Sequence, residues 1–509
     1  MFFDTVYPNL ESIDRLHAYG VEPLATSHWS PMCYDRPMSE DSTISPSGKG
    51  GPDASEKEGP VITENQAARQ SPYPPGSFNA HWFAIFNAVS FQIVMGAPII
   101  LYAKTLGASA TVLGIIAALG PLMMVMQLPS ARFLERYSYR QFMLMGWSAR
   151  TVLVFVVAVV PLMGFIDDAS RLAIIIAALF FYNLLRGIAT TASGPWMIAM
   201  IPEHGRGRFF AIDHMFGVVG CLFALLVAAY VMQSKPGSAG YSLVFFISAI
   251  AATFSLFFIK KMPDINAEET LRKCATVVPW REMLRYPPFF RLLVFNLCFL
   301  VVTAGIGVFT LDFLRTKMGF DSALVLWSGV FGIVGAMAIL PLCAPIIDRV
   351  GSKPIIRFSM AVFVVMIFGW FLLAAGVAPQ SFTFVAGLNM IGGIAGAAYT
   401  LAMVRITMGT LPEMGRNHFS ALNTVFTSLV AAAVPIFWGV MLDSLGSFER
   451  VTGSVTWMRF SIYFFIVALL AIGVFFAVSI LVESHRKKES EALEVYRKQK
   501  SGVRCQESE

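Results

Sequence analysis

The chain has 509 residues, 56% of them hydrophobic and only 14% charged, well below the roughly 25% charged content of soluble domains, which excludes an ordinary water-soluble fold. The net charge of +6 comes from Lys and Arg in short loops between apolar runs and not from one patch, which argues against a nucleic-acid partner. The six cysteines (Cys33, Cys221, Cys274, Cys298, Cys343 and Cys505) show neither metal-ligand spacing nor paired registers, so no disulfide framework and no metal site is expected.

Residues 1–78 are polar, with a Ser, Gly and Pro cluster from Pro37 to Pro75, a composition that cannot bury enough apolar surface to fold alone. They are expected to form a disordered cytoplasmic tail, with Asn9 to Tyr19 as a candidate short helix. The start contains Asp4, Pro8 and Glu11, unlike the basic and then apolar start of a cleaved signal. Six apolar runs follow, at about 80–103, 109–130, 141–165, 170–200, 209–233 and 240–262, each long enough to cross ~30 Å of hydrocarbon. They define a first bundle over 79–262.

A polar cytoplasmic linker covers 263–288, and six more runs follow at about 289–315, 322–346, 354–377, 381–410, 417–442 and 457–482. These define a second bundle over 289–484, and 485–509 form a cytoplasmic tail. The runs are too long and too uniformly apolar for barrel strands, and open strands in lipid leave backbone groups unpaired. The fold class expected is therefore all-α, a polytopic membrane protein of twelve helices in two six-helix bundles. Arg132, Arg136, Arg140, Arg206, Arg208, Lys260, Lys261, Arg349 and Lys353 fall in loops on one side. By the positive-inside rule that side is cytoplasmic, as are both termini, in a plasma or inner membrane.

Two loop patterns occur once in each half. After the second span stand Ala131, Glu135, Arg136, Ser138, Tyr139 and Arg140; after the eighth stand Ala344, Asp348, Arg349, Gly351, Ser352 and Lys353, with Glu135 and Asp348 213 residues apart. After the fourth span stand Pro202, Glu203, His204, Gly205 and Arg206; after the tenth stand Pro412, Glu413, Met414, Gly415 and Arg416, with the prolines 210 residues apart. Two independent markers give nearly one displacement.

The first pattern resembles that of the major facilitator superfamily, whose loop between the second and third helices reads Gly-x-x-x-Asp-Arg-x-Gly-Arg-Arg and is echoed between the eighth and ninth. The second copy is close to this pattern. The first departs from it at Ala131, Glu135, Ser138 and Tyr139, keeping the charges and relaxing the turn. The resemblance covers about residues 80–485 and implies a conformational latch of Glu135, Arg136, Arg140, Asp348, Arg349 and Lys353 that joins the bundles on the inside when the cavity opens outward. Carboxylates at a helix C-terminus oppose its dipole and need such cations nearby.

Within the spans, an ionisable side chain costs several kcal/mol unless it faces a cavity or a partner. Arg186 lies midway along the fourth span with Asn183 about one turn before it, and a guanidinium offers an anionic group a charged fork of donors. Arg150, Asp213, His214 and Arg405 are read as structural pairs, with Asp213 as the counter-charge for Arg150 or Arg186. Asn87 and Gln92 in the first span, Asn296 and Thr303 in the seventh, and Asn389 and Tyr399 in the tenth complete the candidate solute site, these being the helices that line the cavity in the resembled family. Gly392 and Gly396 suit close helix packing. No carboxylate stands out near the middle of the first or seventh span, and the fifth span lacks the Gly-Pro pair of the family's antiporters, so the coupling ion is open.

No phosphate-binding loop, zinc motif or catalytic nucleophile pattern is present in the sequence, so neither an enzyme nor ATP-driven transport is expected, and no cofactor. The function expected is secondary active or facilitative transport of a small solute, with an anion suggested by Arg186, through rocking of two bundles. The partners are then a small-molecule solute and the lipid bilayer, and the protein is a monomer. The competing reading is a non-transporting membrane sensor or assembly factor that recruits a partner through its N-terminal tail.

Overall fold

The computed structural model describes residues 73–134, 136–202, 205–265, 280–411 and 416–481; most of the expected N-terminal tail and all of 485–509 lie outside them. Among the described residues, twelve helices are long and apolar enough to cross a membrane. In the first half these are α1 (Asn79–Thr105), α2 (Ala110–Leu134), α3 (Tyr139–Leu162), α4 (Asp168–Met200), α5 (Arg206–Ser234) and α6 (Ser238–Lys261). In the second they are α7 (Pro287–Thr316), α8 (Ser322–Val350), α9 (Ser352–Ala374), α10 (Phe382–Thr410), α11 (Arg416–Leu445) and α12 (Arg459–Ile480). The repeated loop patterns all fall at one end of the bundle, here called the motif end; α1 finishes at the far end.

Side-chain oxygens that accept orphan amide protons start several spans: Ser109 for α2, Ser138 for α3, Asp167 for α4, Asp321 for α8 and Ser381 for α10. Hydrogen bonds from the Ser170 hydroxyl and amide hold the Asp167 carboxyl below the usual carboxylate range.

Two spans are broken. α1 stops at Met95 and resumes at Ala97, where Pro98 lacks the amide proton a continuous helix would use. Only glycine fits the break, because a Cβ on Gly96 would lie 2.2 Å from the Gln92 carbonyl oxygen. α7 stops at Thr303 and resumes at Ile306. Gly96 and Gly305 are 209 residues apart, so the breaks obey the repeat displacement read from the loops.

Lipid tails are as apolar as leucine, so contact between spans depends on close approach. A Cβ on Gly393 of α10 would lie 1.8 Å from the Gly332 oxygen of α8, one on Gly187 of α4 2.0 Å from the Met123 oxygen of α2, and one on Gly114 of α2 2.4 Å from the Pro435 oxygen of α11. On α10 Gly393 thus meets a backbone, while the expected Gly392 packs on Met366, whose sulfur is 2.6 Å from the position of its absent Cβ, and Gly396 faces Phe363, since one residue turns a helix by about 100°.

Within the first half α1 packs on α5 and α6, α3 on α4 and α6, and α2 on α4; within the second α8 and α9 pack on α10, α9 on α12, and α7 on α11 and α12. The halves meet through α2 against α11 and α5 against α8, two contacts that the repeat interchanges. One large apolar cluster, with Ile99, Tyr102 and Leu113 from the first half and Phe309, Leu326 and Trp438 from the second, spans both. At the motif end the packing divides: one cluster holds Tyr139, Trp147, Trp196 and Phe209 of the first half, another Met283, Phe289, Leu411 and Phe419 of the second.

Three features extend the sequence-based expectation. Residues 73–78, expected in the tail, form a turn whose Tyr73 hydroxyl donates to the Gly205 oxygen at 3.3 Å and whose Ser77 is buried. Residues 280–285 of the expected linker form a short helix, Trp280–Arg285. At the far end β1 (Glu449–Thr452) and β2 (Val455–Met458) form an antiparallel hairpin turned at Gly453 with φ +62°.

Candidate functional site

In the middle of the first half α4 presents Asn183 and Arg186. Asn183 is buried; its amide nitrogen donates to the Leu179 oxygen at 2.8 Å and lies 3.3 Å from the Met95 sulfur, and its Oδ1 has no hydrogen-bond donor. The Arg186 guanidinium lies over the Phe91 ring at 4.5 Å, and no carboxylate pairs with it among the described residues. Both polar groups border the space that a Gly120 side chain would fill, at 3.7 and 3.9 Å from the position of its absent Cβ. Gln92, half-buried one residue beyond Phe91, makes no hydrogen bond to a described residue.

The second intramembrane cation, Arg150 of α3, is 1% exposed. Its Nη2 donates to the Asn87 Oδ1, which also accepts from the Trp147 Nε1 at 3.2 Å. Its guanidinium carbon lies over the Trp147 ring at 4.4 Å and the Tyr182 ring at 5.1 Å, and its Nε has no acceptor. Asn87 is therefore occupied in holding Arg150. Asp213, expected as the counter-charge for Arg150 or Arg186, instead lies 3.2 Å from the Nδ1 of buried His81 near the motif end. The interior of the first half thus holds two guanidinium groups with no paired carboxylate among the described residues.

The second-half candidates lie elsewhere. Asn389 donates to the Val385 oxygen at 3.2 Å and to Ser328 Oγ at 3.3 Å. With Thr303, Thr310, Ser328 and Trp370 it lines a cavity of about 310 Å³ that Ala97 of α1 also borders. The Thr310 hydroxyl is buried without a partner. Asn296 donates to Asn423 at 3.3 Å, and Tyr399 stacks on Phe299 at 3.8 Å with its hydroxyl unpartnered.

At the motif end, Arg140 pairs with Asp264 at 3.0 Å and reaches the Lys260 and Met262 oxygens at 3.5 Å, and Lys353 donates to the Ser479 and Leu481 oxygens at 2.9 and 2.8 Å. Each cation thus serves the C-terminal end of the last helix of its own half, where the dipole favours positive charge. Arg136 and Arg349 are exposed; Glu135 and the Asp348 side chain lie outside the described residues. Arg206, just after Pro202, donates to the Ile201 and Ile198 oxygens at 3.0 and 2.9 Å and so closes the end of α4. Glu203, Pro412, Glu413 and the Arg416 side chain are likewise outside the described residues.

Asp312 of α7 escaped the sequence reading. It is 1% exposed and pairs with Lys104 of α1 at 2.7 Å. It falls inside the expected seventh run but one turn from its end, away from the mid-span positions where a carboxylate stands out.

Comparison with known proteins agrees with this architecture. The family model described as Major Facilitator Superfamily matches residues 82–378 and 326–504. No curated protein matches significantly in sequence. Among solved structures, the chain is similar to a D-xylose-proton symporter, with 14% identity over 80% of this chain and 97% of that one and a TM-score of 0.62. It is similar also to the nucleoside transporter NupG, with 12% identity over 79% and 98% and a TM-score of 0.56. A POT family transporter in complex with 5-aminolevulinic acid aligns with 15% identity over 80% and 96% and a TM-score of 0.59. At these identities the likeness concerns the fold, and together with the family match over most of its length it establishes that the chain is a multi-pass membrane protein belonging to the major facilitator superfamily of transporters.

Proposed function

We propose that the protein carries a small anionic solute across the membrane, by secondary active or facilitative transport, as its two halves rock about a central cavity. The motif end and both termini face the cytoplasm of a plasma or inner membrane, and the protein works as a monomer. The carrying observation is the pair of intramembrane guanidinium groups, Arg186 and Arg150, with no paired carboxylate among the described residues. A buried cation is costly in a bilayer, and an anion entering beside Arg186 offsets that cost. Asn183, with a free oxygen and an amide, supports binding of a ligand that also carries a donor. Glu135, Arg136, Asp348 and Arg349 then close the motif end when the cavity opens to the far end, while Arg140 and Lys353 brace it.

Protein reconstituted in liposomes should take up members of a panel of small radiolabelled carboxylates and phosphates, and Arg186→Ala should abolish uptake with membrane insertion intact. Unchanged uptake by Arg186→Ala would remove the residue from the site. The uncharged cavity around Asn389 favours a second reading, a neutral hydroxylated solute. In that case Asn389→Ala stops uptake of sugars or nucleosides and Arg186→Ala does not.

A further inference from the structure

We infer that Lys104, Asp312 and Asp443 form the far-end gate and are the positioning residues that set which side of the membrane the cavity faces. The proposal rests on the alternating-access reading above. Lys104 lies beyond the break in α1 and Asp312 beyond the break in α7, so each is carried by a short segment, Ala97–Thr105 or Ile306–Thr316, with a glycine at its root. The two residues are 208 apart in sequence, almost the 209 that separates the two breaks. They stand on matching segments of the two repeats, one residue out of strict register, and meet across the boundary between the halves with opposite charges.

The Asp312 carboxyl is enclosed. Oδ1 takes Lys104 at 2.7 Å and the Thr316 hydroxyl at 2.8 Å, and Oδ2 has no partner.

A second clasp lies beside the first. The Asp443 carboxylate at the end of α11 accepts from the Ala110 and Thr111 amides at 3.0 and 2.8 Å, the free donors at the positive end of the α2 dipole. Its repeat counterpart, 210 residues earlier, is Gln233 of α5, which accepts from the Trp327 Nε1 of α8 at 3.1 Å. The same pair of contacts is thus charged in one copy and neutral in the other. Opening the far end requires parting all of these groups, and the buried ion pair contributes most, because each partner left alone is an uncompensated charge.

The test uses full-length protein with its six cysteines replaced by serine, reconstituted in liposomes of known orientation and carrying Leu311→Cys, on the cavity wall beside the gate. A membrane-impermeant thiol reagent is applied from the far-end side. Asp312→Asn and Lys104→Ala should each label at least about tenfold faster than the parent, as a shift toward the outward-facing state requires. The exchanged pair, Lys104→Asp with Asp312→Lys, should return toward the parent rate, since it restores opposite charges across the same contact. Equal labelling in parent and single variants, or fast labelling in the exchanged pair, would overturn the gate.

If the variants of the ion pair do not survive purification, Asp443→Asn, which leaves the buried pair intact and weakens only the clasp on the Ala110 and Thr111 amides, should also label several-fold faster than the parent; labelling at the parent rate would also overturn the gate. Labelling needs no transported solute, so an absence of uptake would strike the proposed function while leaving this readout intact.

Discussion

At the scale of single residues, the notable choice is an amide, not a carboxylate, as the partner of buried Arg150. Asn87 satisfies a donor without cancelling the charge, so the positive potential of the first half is retained. Asn87→Asp should pair with Arg150, keep the fold and raise the apparent KM for an anionic solute by about tenfold, the scale of one charge at roughly 10 Å under an effective dielectric near 20. Uptake kinetics check it, and an unaltered KM would sink the electrostatic account. Asn87→Ala, by contrast, should lower stability by about 1–3 kcal/mol through the donors left unsatisfied, seen as a lower melting temperature in detergent. Arg150 and Arg186 were legible in the sequence because a cation in an apolar run stands out. The assignment of Asn87 to Arg150 was not, because it depends on how α1 and α3 are rotated about their axes.

At the scale of elements, the spans were legible and their interruptions were not. Hydropathy reports that 80–103 is apolar, but it is blind to the break between Met95 and Ala97, where the cues are one glycine and one proline. The break in α7 lacks even a proline. The hairpin between α11 and α12 was missed for a related reason: its eight strand residues are too few and too mixed for a period-2 signal, and part of its register comes from the Thr456 amide bonding to the Ala375 oxygen. Gly96→Val brings a branched side chain to within 2.2 Å of a backbone oxygen, so α1 must change course at the point where its far segment carries Lys104. Uptake should fall below a tenth of the parent value, the order of loss expected from misplacing a segment by about 1 Å. Gly96→Val transporting at the parent rate would show that the break is incidental.

At the scale of the whole molecule, the polar ties between the halves gather at the far end among the described residues, while the motif-end packing is divided between two clusters. Ties gathered at one end and separate clusters at the other support the proposed cavity that opens toward the motif end. If the halves rock as rigid bodies, closing one end must open the other; if only local gates move, a change at one end leaves the other alone. The repeat supplies matched reporters: Tyr137 and Val350, 213 residues apart, are exposed at the motif end, and Phe165 and Val377, 212 apart, are exposed at the far end. Spin labels at each pair in the cysteine-free protein give one inter-half distance per end. Asp312→Asn, which releases the far-end pair, should lengthen the Phe165–Val377 distance and shorten the Tyr137–Val350 distance together, by several ångströms each. Lengthening at the far end with no change at the motif end would favour a local gate over a rocking pair of bundles, because rigid halves sharing one axis cannot part at one end and keep their spacing at the other.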